Sequence, residues 1–218
     1  MVCPRYLEDS MIIKTVVVGP LQVNCHIIGD EKTGKAMVID PGDEPDMIMH
    51  VVTKNSLSVE YIICTHGHFD HVGAVADIKK ATGAKIVLHP GDLDIYSSAA
   101  ELAHYFGLDL EPQPAPDMFV KEGDKIVVGD LNFDVYQSPG HSPGGIVLYG
   151  EGIVITGDTL FAGSIGRTDL PGGDERMIRK SLGRLMSLPD TSSVLCGHGP
   201  SSTIGREKRE NPFSGMFD

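Results

Sequence analysis

Tryptophan is absent from this 218-residue chain, aromatic residues make up only 6% of it, and the four cysteines form no Cys-x-x-Cys pair. With Gly at 26 positions, that composition suits an α/β protein rich in tight turns. Cys3 stands apart near the start. Cys25, Cys64 and Cys196 sit in or beside apolar runs, where they read as buried free thiols of a reducing, cytoplasmic protein. Basic residues are also scarce. Lys and Arg number 18 against 30 Asp and Glu, a net charge of −12 with no Lys/Arg run. Such a surface repels phosphate backbones, so no nucleic-acid partner is expected. No apolar run approaches the length that spans a membrane, and residues 1–10 lack the apolar centre of a signal peptide. Residues 1–10 are therefore expected to be an N-terminal extension, and 11–218 a single domain large enough for a real core.

What is present is a series of short Val/Ile-rich runs bounded by Gly, Asp or Pro. Strands are expected at Met11–Val18, Val23–Ile28, Ala36–Ile39, Tyr61–Cys64, Lys85–Leu88, Lys125–Val128, Asn132–Gln137, Gly145–Tyr149, Gly152–Thr156 and Ser193–Leu195. Helices are expected at Pro45–Thr53, His71–Thr82, Gly91–Phe106 and Asp174–Ser187. Leu110–Pro116, with three prolines, reads as a surface loop. Strands interspersed with helices predict one α/β domain with helices outside packed sheets.

The chemistry concentrates in His66-Gly67-His68-Phe69-Asp70-His71, directly after the apolar run Ile62-Ile63-Cys64. Three imidazoles and a carboxylate within six residues are a metal-ligand set. His66 and His68 are two apart and point the same way in an extended segment. Asp70 and His71 lie across the turn into the next helix and reach a second position. Three further strands end in Gly-rich turns that carry His141, Asp158 and His198. Alone, a His after a Gly turn is ordinarily a capping or surface residue, and Asp158 alone is an N-cap candidate. The hexapeptide alters that reading, because a metal held by it needs ligands from elsewhere. Seven candidates exceed the three or four that one ion takes, and suit two divalent ions bridged by a carboxylate and a water. The same ligand types accept zinc, iron or manganese. Asp40, in Ile39-Asp40-Pro41-Gly42, is either a simple turn residue or a carboxylate that orients a ligand from behind. His26, His50, His89 and His104 lack such context and read as structural or surface residues.

These segments, in this order, resemble the metallo-β-lactamase superfamily. The likeness spans Met11 to Phe213 and implies an αββα sandwich, α/β (α+β) in class. By it, His66, His68 and His141 hold one metal, Asp70, His71 and His198 the second, and Asp158 bridges. Within the superfamily the chain is similar to the glyoxalase II group, the hydroxyacylglutathione hydrolases. Leu160–Asp169 resembles the loop after their bridging Asp, Gly140-His141-Ser142-Pro143-Gly144-Gly145 a compact bacterial subgroup, and Ser202-Thr203-Ile204-Gly205…Glu207…Asn211-Pro212-Phe213 their closing segment. The larger enzymes insert a helical substrate-binding region where only Gly199-Pro200-Ser201 stands here, and they carry basic residues after the closing segment that Ser214–Asp218 lacks.

The resemblance implies a metal-dependent hydrolase of a small thioester such as S-lactoylglutathione. A metal-bridging hydroxide would be the nucleophile, aimed by Asp70. Arg167 is either a contact for a substrate carboxylate or a surface ion-pair residue. The rival enzyme is a mononuclear-iron persulfide dioxygenase of the same superfamily, followed by a hydrolase of another small ester or lactone. A monomer or homodimer is expected, with no membrane partner.

Overall fold

The computed structural model describes residues 11–216, so the expected N-terminal extension lies outside the described residues. The chain runs β1 (Met11–Val18), β2 (Val23–Asp30), β3 (Lys35–Ile39), α1 (Pro45–Lys54), β4 (Ser58–Ile63), α2 (Phe69–Val72), α3 (Val75–Thr82), β5 (Lys85–Leu88), α4 (Leu93–Ser97), α5 (Ala99–Tyr105) and β6 (Met118–Phe119). It continues β7 (Lys125–Val128), β8 (Leu131–Gln137), β9 (Ile146–Gly150), β10 (Ile153–Gly157), β11 (Leu160–Phe161), β12 (Ser164–Ile165), α6 (Glu175–Leu185), β13 (Ser193–Cys196), β14 (Ser202–Thr203) and α7 (Ile204–Glu210). One six-stranded sheet has the order β1-β2-β3-β4-β5-β6, the other β14-β13-β10-β9-β8-β7.

The two-residue period of a strand builds the layers. Ile28, Met37, Ile39, Ile63 and Val87 point into a core shared with Phe133, Val135, Leu148, Ile155 and Leu195 of the other sheet. Their neighbours Ile27, Val38, Ile62 and Ile86 face the opposite way and bury Ile48 of α1 and Ile78 of α3. On the far side Val147, Val154 and Val194 pack on Ile178, Leu182 and Leu185 of α6. Three stacked cores make four layers: helices, sheet, sheet, helices. Strands buried on both faces read as unbroken apolar runs, which is why their positions are clear in the sequence.

β3, β4 and β5 pair in parallel, as do β10 and β13, and β8 runs the same way as β10 through the antiparallel β9. The C-terminal ends of β3, β4, β8, β10 and β13 therefore emerge along one edge of the sandwich. Every candidate ligand follows one of those five ends.

Two expected helices break. The expected helix 71–82 divides into α2 and α3 because the Ala74 amide bonds the Pro41 carbonyl at 2.8 Å instead of continuing the helical ladder. The expected helix 91–106 starts as a 3₁₀ turn over Pro90–Asp92 and is interrupted at Ser98, between α4 and α5. β6, β11, β12 and β14 are two residues each, too short for periodicity to register, and α7 was likewise not expected. No helix among the described residues is long and apolar enough to cross a membrane.

Candidate metal centre

All seven predicted ligands converge at that edge. His68 Nδ1 lies 2.9 Å from His141 Nε2, and the His66 ring is 4.8 and 4.9 Å from the rings of His68 and His141. On the other side, His71 Nε2 is 3.2 Å from His198 Nε2. Asp70 Oδ2 reaches His198 Nε2 at 3.5 Å and His71 Nε2 at 3.7 Å. Asp158 stands between the two groups. One of its oxygens is 3.4 Å from His71, and the other is 3.6 Å from His141 and 3.5 Å from His198. Two triads, His66/His68/His141 and Asp70/His71/His198, each bring one ligand atom per residue within 4.8 Å of the others.

The hydrogen-bond network behind the rings fixes which nitrogen faces inward. The Thr65 hydroxyl donates to Asp40 at 2.7 Å, so its oxygen accepts from His66 Nδ1–H at 3.0 Å. His71 Nδ1–H donates to Asp40 at 3.1 Å, His141 Nδ1–H to the Arg167 carbonyl at 2.9 Å, and His198 Nδ1–H to the Leu21 carbonyl at 3.0 Å. Each of these four imidazoles therefore turns its Nε2 to the centre. His66 Nε2 and Asp158 Oδ1 are buried and have no hydrogen-bond partner. His71 Nε2 and His198 Nε2 face each other at 3.2 Å, an arrangement that calls for a proton or a cation between them. The residues fit a two-cation centre on both counts.

Electrostatics agree. Burial opposes a charged His71, but Asp158, Asp70 and Asp40 outweigh it and hold its pKa well above the usual range. His198 is likewise depressed by burial yet raised to about 9 by Asp158 and Asp70. Burial, then the neighbouring His71 and His68, push His66 far down, and burial with His141 takes His68 to about 4. Burial would raise Asp158, but His71 and His198 keep it well below the carboxylate range. The field selects positive charge at His71 and His198 and neutral imidazole at His66 and His68.

Asp40 does more than shape a turn: it bonds both Thr65 and His71. It sits at φ 52°, a left-handed conformation that Asp tolerates better than most residues, and accepts from the Thr65 amide, the Thr65 hydroxyl and His71. Gly197 allows a ligand carboxylate to approach the backbone closely. A Cβ there would fall 2.1 Å from Asp158 Oδ1 and 2.8 Å from His71 Cε1.

Arg167 connects to the cluster through its carbonyl on His141. Its guanidinium is exposed and doubly bonded to Asp169 at 2.7 Å.

Three further residues have structural roles that the sequence reading did not assign. Asp92, fully buried, accepts from the Gly67 amide at 2.8 Å, the Ser142 hydroxyl at 2.7 Å and the Gly144 amide at 2.5 Å. It staples the His66–His68 loop to the His141 loop. Asn24 donates to the carbonyls of Cys196 and Gly199 at 2.9 and 2.8 Å and clamps the turn that carries His198. Glu207, buried at the start of α7, takes hydrogen bonds from Ser202, Asn211 and the Gly163 amide, tying the closing segment to the β11–β12 hairpin that precedes Arg167. A polar residue after a Pro-Gly turn, at a strand start or in a short helix carries no signal of such partners.

The expected structural histidines behave as such. His26 bonds Thr15 and the Cys196 carbonyl, and His89 caps the 3₁₀ turn. Cys25, Cys64 and Cys196 are buried free thiols.

A four-layer sandwich with a His/Asp centre at the strand ends defines a class of metal-binding α/β proteins. Residues 18–198 match the metallo-beta-lactamase superfamily. The chain belongs to that superfamily. It is 38% identical to the hydroxyacylglutathione hydrolase GloC of Haemophilus influenzae over 93% of this chain and 98% of the relative. It is similar to TTHA1623, solved in a di-iron-bound form, at 41% identity and TM-score 0.85, covering 92% of this chain and 99% of that one. It is also similar to the BLEG-1 B3 metallo-beta-lactamase at 31% identity and TM-score 0.88, over 93% and 99% of the two chains.

Proposed function

We propose that the chain is a dinuclear metal-dependent thioester hydrolase of the hydroxyacylglutathione hydrolase type. The observation that carries this is the convergence of His66, His68 and His141 on one position and of Asp70, His71 and His198 on another, with Asp158 between them and with His66 Nε2 and Asp158 Oδ1 buried and unpartnered. His66, His68 and His141 would hold one divalent cation, Asp70, His71 and His198 the other, with Asp158 between. Zinc or iron suits these donors, and manganese is the third candidate. Two cations there would lower the pKa of a water from about 16 toward 7 and polarise a carbonyl oxygen.

The residues themselves do the aiming. Asp70 accepts a hydrogen bond from the attacking water and orients it toward the carbonyl. Asp40 and Thr65 keep His66 and His71 in the tautomer that leaves Nε2 free. Neither cleft at the centre is lined by Lys or Tyr among the described residues, so neither residue type would protonate the leaving group. A thiolate leaves without a proton donor, because its conjugate acid has a pKa near 8.5. An amide nitrogen does not, which favours thioesters over peptides or β-lactams. GloC supports the reading, since a relative of matching length carries the hydroxyacylglutathione hydrolase name. The Asp169 pair leaves the Arg167 guanidinium available to a substrate carboxylate only by exchange of partners.

The test is S-lactoylglutathione hydrolysis by the metal-loaded protein, with Asp70→Ala and His68→Ala. Both variants lose turnover and metal. Full activity with one metal per chain and Asp70 removed contradicts the scheme.

A further inference from the structure

A cleft of about 500 Å³ opens beside the centre, within the size range of small-molecule sites. Asp70 lines it, as does Leu21, whose carbonyl holds His198. Its walls are apolar. Ala74 is buried at the base, Phe69 stacks on Phe106 at 5.7 Å, and Leu110 closes one side from the Pro-rich loop. The charges at its border are of one sign. Asp70 would be neutralised by the cation it holds, and the others are Asp43, Asp77, Asp109 and Glu111; the described lining contains no Lys or Arg. Apolar walls focus the field of such carboxylates into the cleft.

We propose that this cleft receives the acyl half of the thioester, and that it selects apolar acyl chains that are uncharged or cationic. The proposal rests on the thioester reading. Glutathione bears two carboxylates and a net negative charge, so the thiol half is repelled from this cleft, while an acyl chain of several carbons fits its volume and walls. A lactoyl group would leave most of it unfilled. Larger neutral acyl groups are then the better substrates, and acyl groups ending in a carboxylate are rejected.

The experiment compares glutathione thioesters of hexanoate, 6-(trimethylammonio)hexanoate and adipate, in the wild type and in an Asp109→Lys/Glu111→Lys variant. Both positions are exposed, so the variant is expected to fold, and its melting curve checks this. The wild type should prefer the trimethylammonio over the adipoyl thioester in kcat/KM by about tenfold or more, and the variant should compress that ratio by about tenfold. A wild-type ratio within twofold of unity, or one unmoved in the variant, overturns the assignment. A second readout does not need turnover. In NMR titrations, hexyltrimethylammonium should shift the signals of Ala74 and Leu110, and hexanoate should not. Shifts from both ions equally, or from neither, also overturn it. Hydrolysis of none of the thioesters by the metal-loaded wild type refutes the thioester reading instead, leaving the titration to judge the cleft.

Discussion

Replacing Asp92 by Ala removes a buried side chain that joins the loop carrying His66 and His68 to the loop carrying His141. Three donors lose their acceptor: the Gly67 and Gly144 amides and the Ser142 hydroxyl. A buried donor left unsatisfied costs about 1–3 kcal/mol. The hydroxyl can rotate to another acceptor and the amides cannot, so the two amides together cost about 2–6 kcal/mol. In a domain of this size each kcal/mol lowers the melting temperature by about 2–4 °C, which gives a fall of about 4–24 °C. Asn is the graded control. Its carbonyl oxygen keeps Gly67 and Ser142, but its NH₂ then meets the Gly144 N–H donor to donor, so its loss should fall below that of Ala. Loosening the loops should also weaken cation binding by about 10–100-fold, the usual effect of removing the support behind a ligand. The assay is thermal unfolding of chelator-treated protein, with cation affinity read by competition against a chromophoric chelator. An Ala variant with unchanged melting temperature and affinity within twofold of wild type refutes the staple.

Other outcomes follow from the same geometry. Gly197→Ala places a methyl where Asp158 Oδ1 lies, and metal content measured by mass spectrometry should drop below one ion per chain; two ions would mean that Asp158 has room to move. Thr65→Val severs His66 Nδ1 from Asp40 and should weaken cation binding by about tenfold, with little change if the tautomer is held by other means. In the cation-free chain, the folded pKa of His198, about 9, lies above its unfolded value of about 6.5. Its stabilisation is therefore complete below about pH 6.5 and lost as pH rises through about 9. Cation binding displaces those protons from His198 and His71, so the rise in melting temperature produced by Zn²⁺ should grow between pH 6.5 and 9. Calorimetry in two buffers of different ionisation enthalpy should show proton release, and none would mean that the imidazoles are already neutral.

Much of this was legible in the sequence for a physical reason. Strands buried on both faces must be continuous apolar runs, and ligands need Gly where backbone crowds the centre, so Ile62–Cys64 before the hexapeptide and Gly157 and Gly197 before Asp158 and His198 mark themselves. The order of strands that brings five such ends to one edge has no local signature. Nor do Asp92, Asn24 and Glu207, whose partners lie between 4 and 175 residues away and are set only by packing. The break between α2 and α3 has the same origin, since Pro41 captures the Ala74 amide from another strand end. For Arg167 the sequence left two readings, and the geometry adds a third use, its backbone carbonyl on His141.

The central claim is that the seven side chains form one centre for two cations. Metal analysis of the purified protein, run beside S-lactoylglutathione hydrolysis, tests it most directly. The account predicts two zinc or iron ions per chain and rapid thioester cleavage, both lost in Asp70→Ala. One iron per chain, oxygen uptake with glutathione persulfide and no thioester cleavage would contradict it.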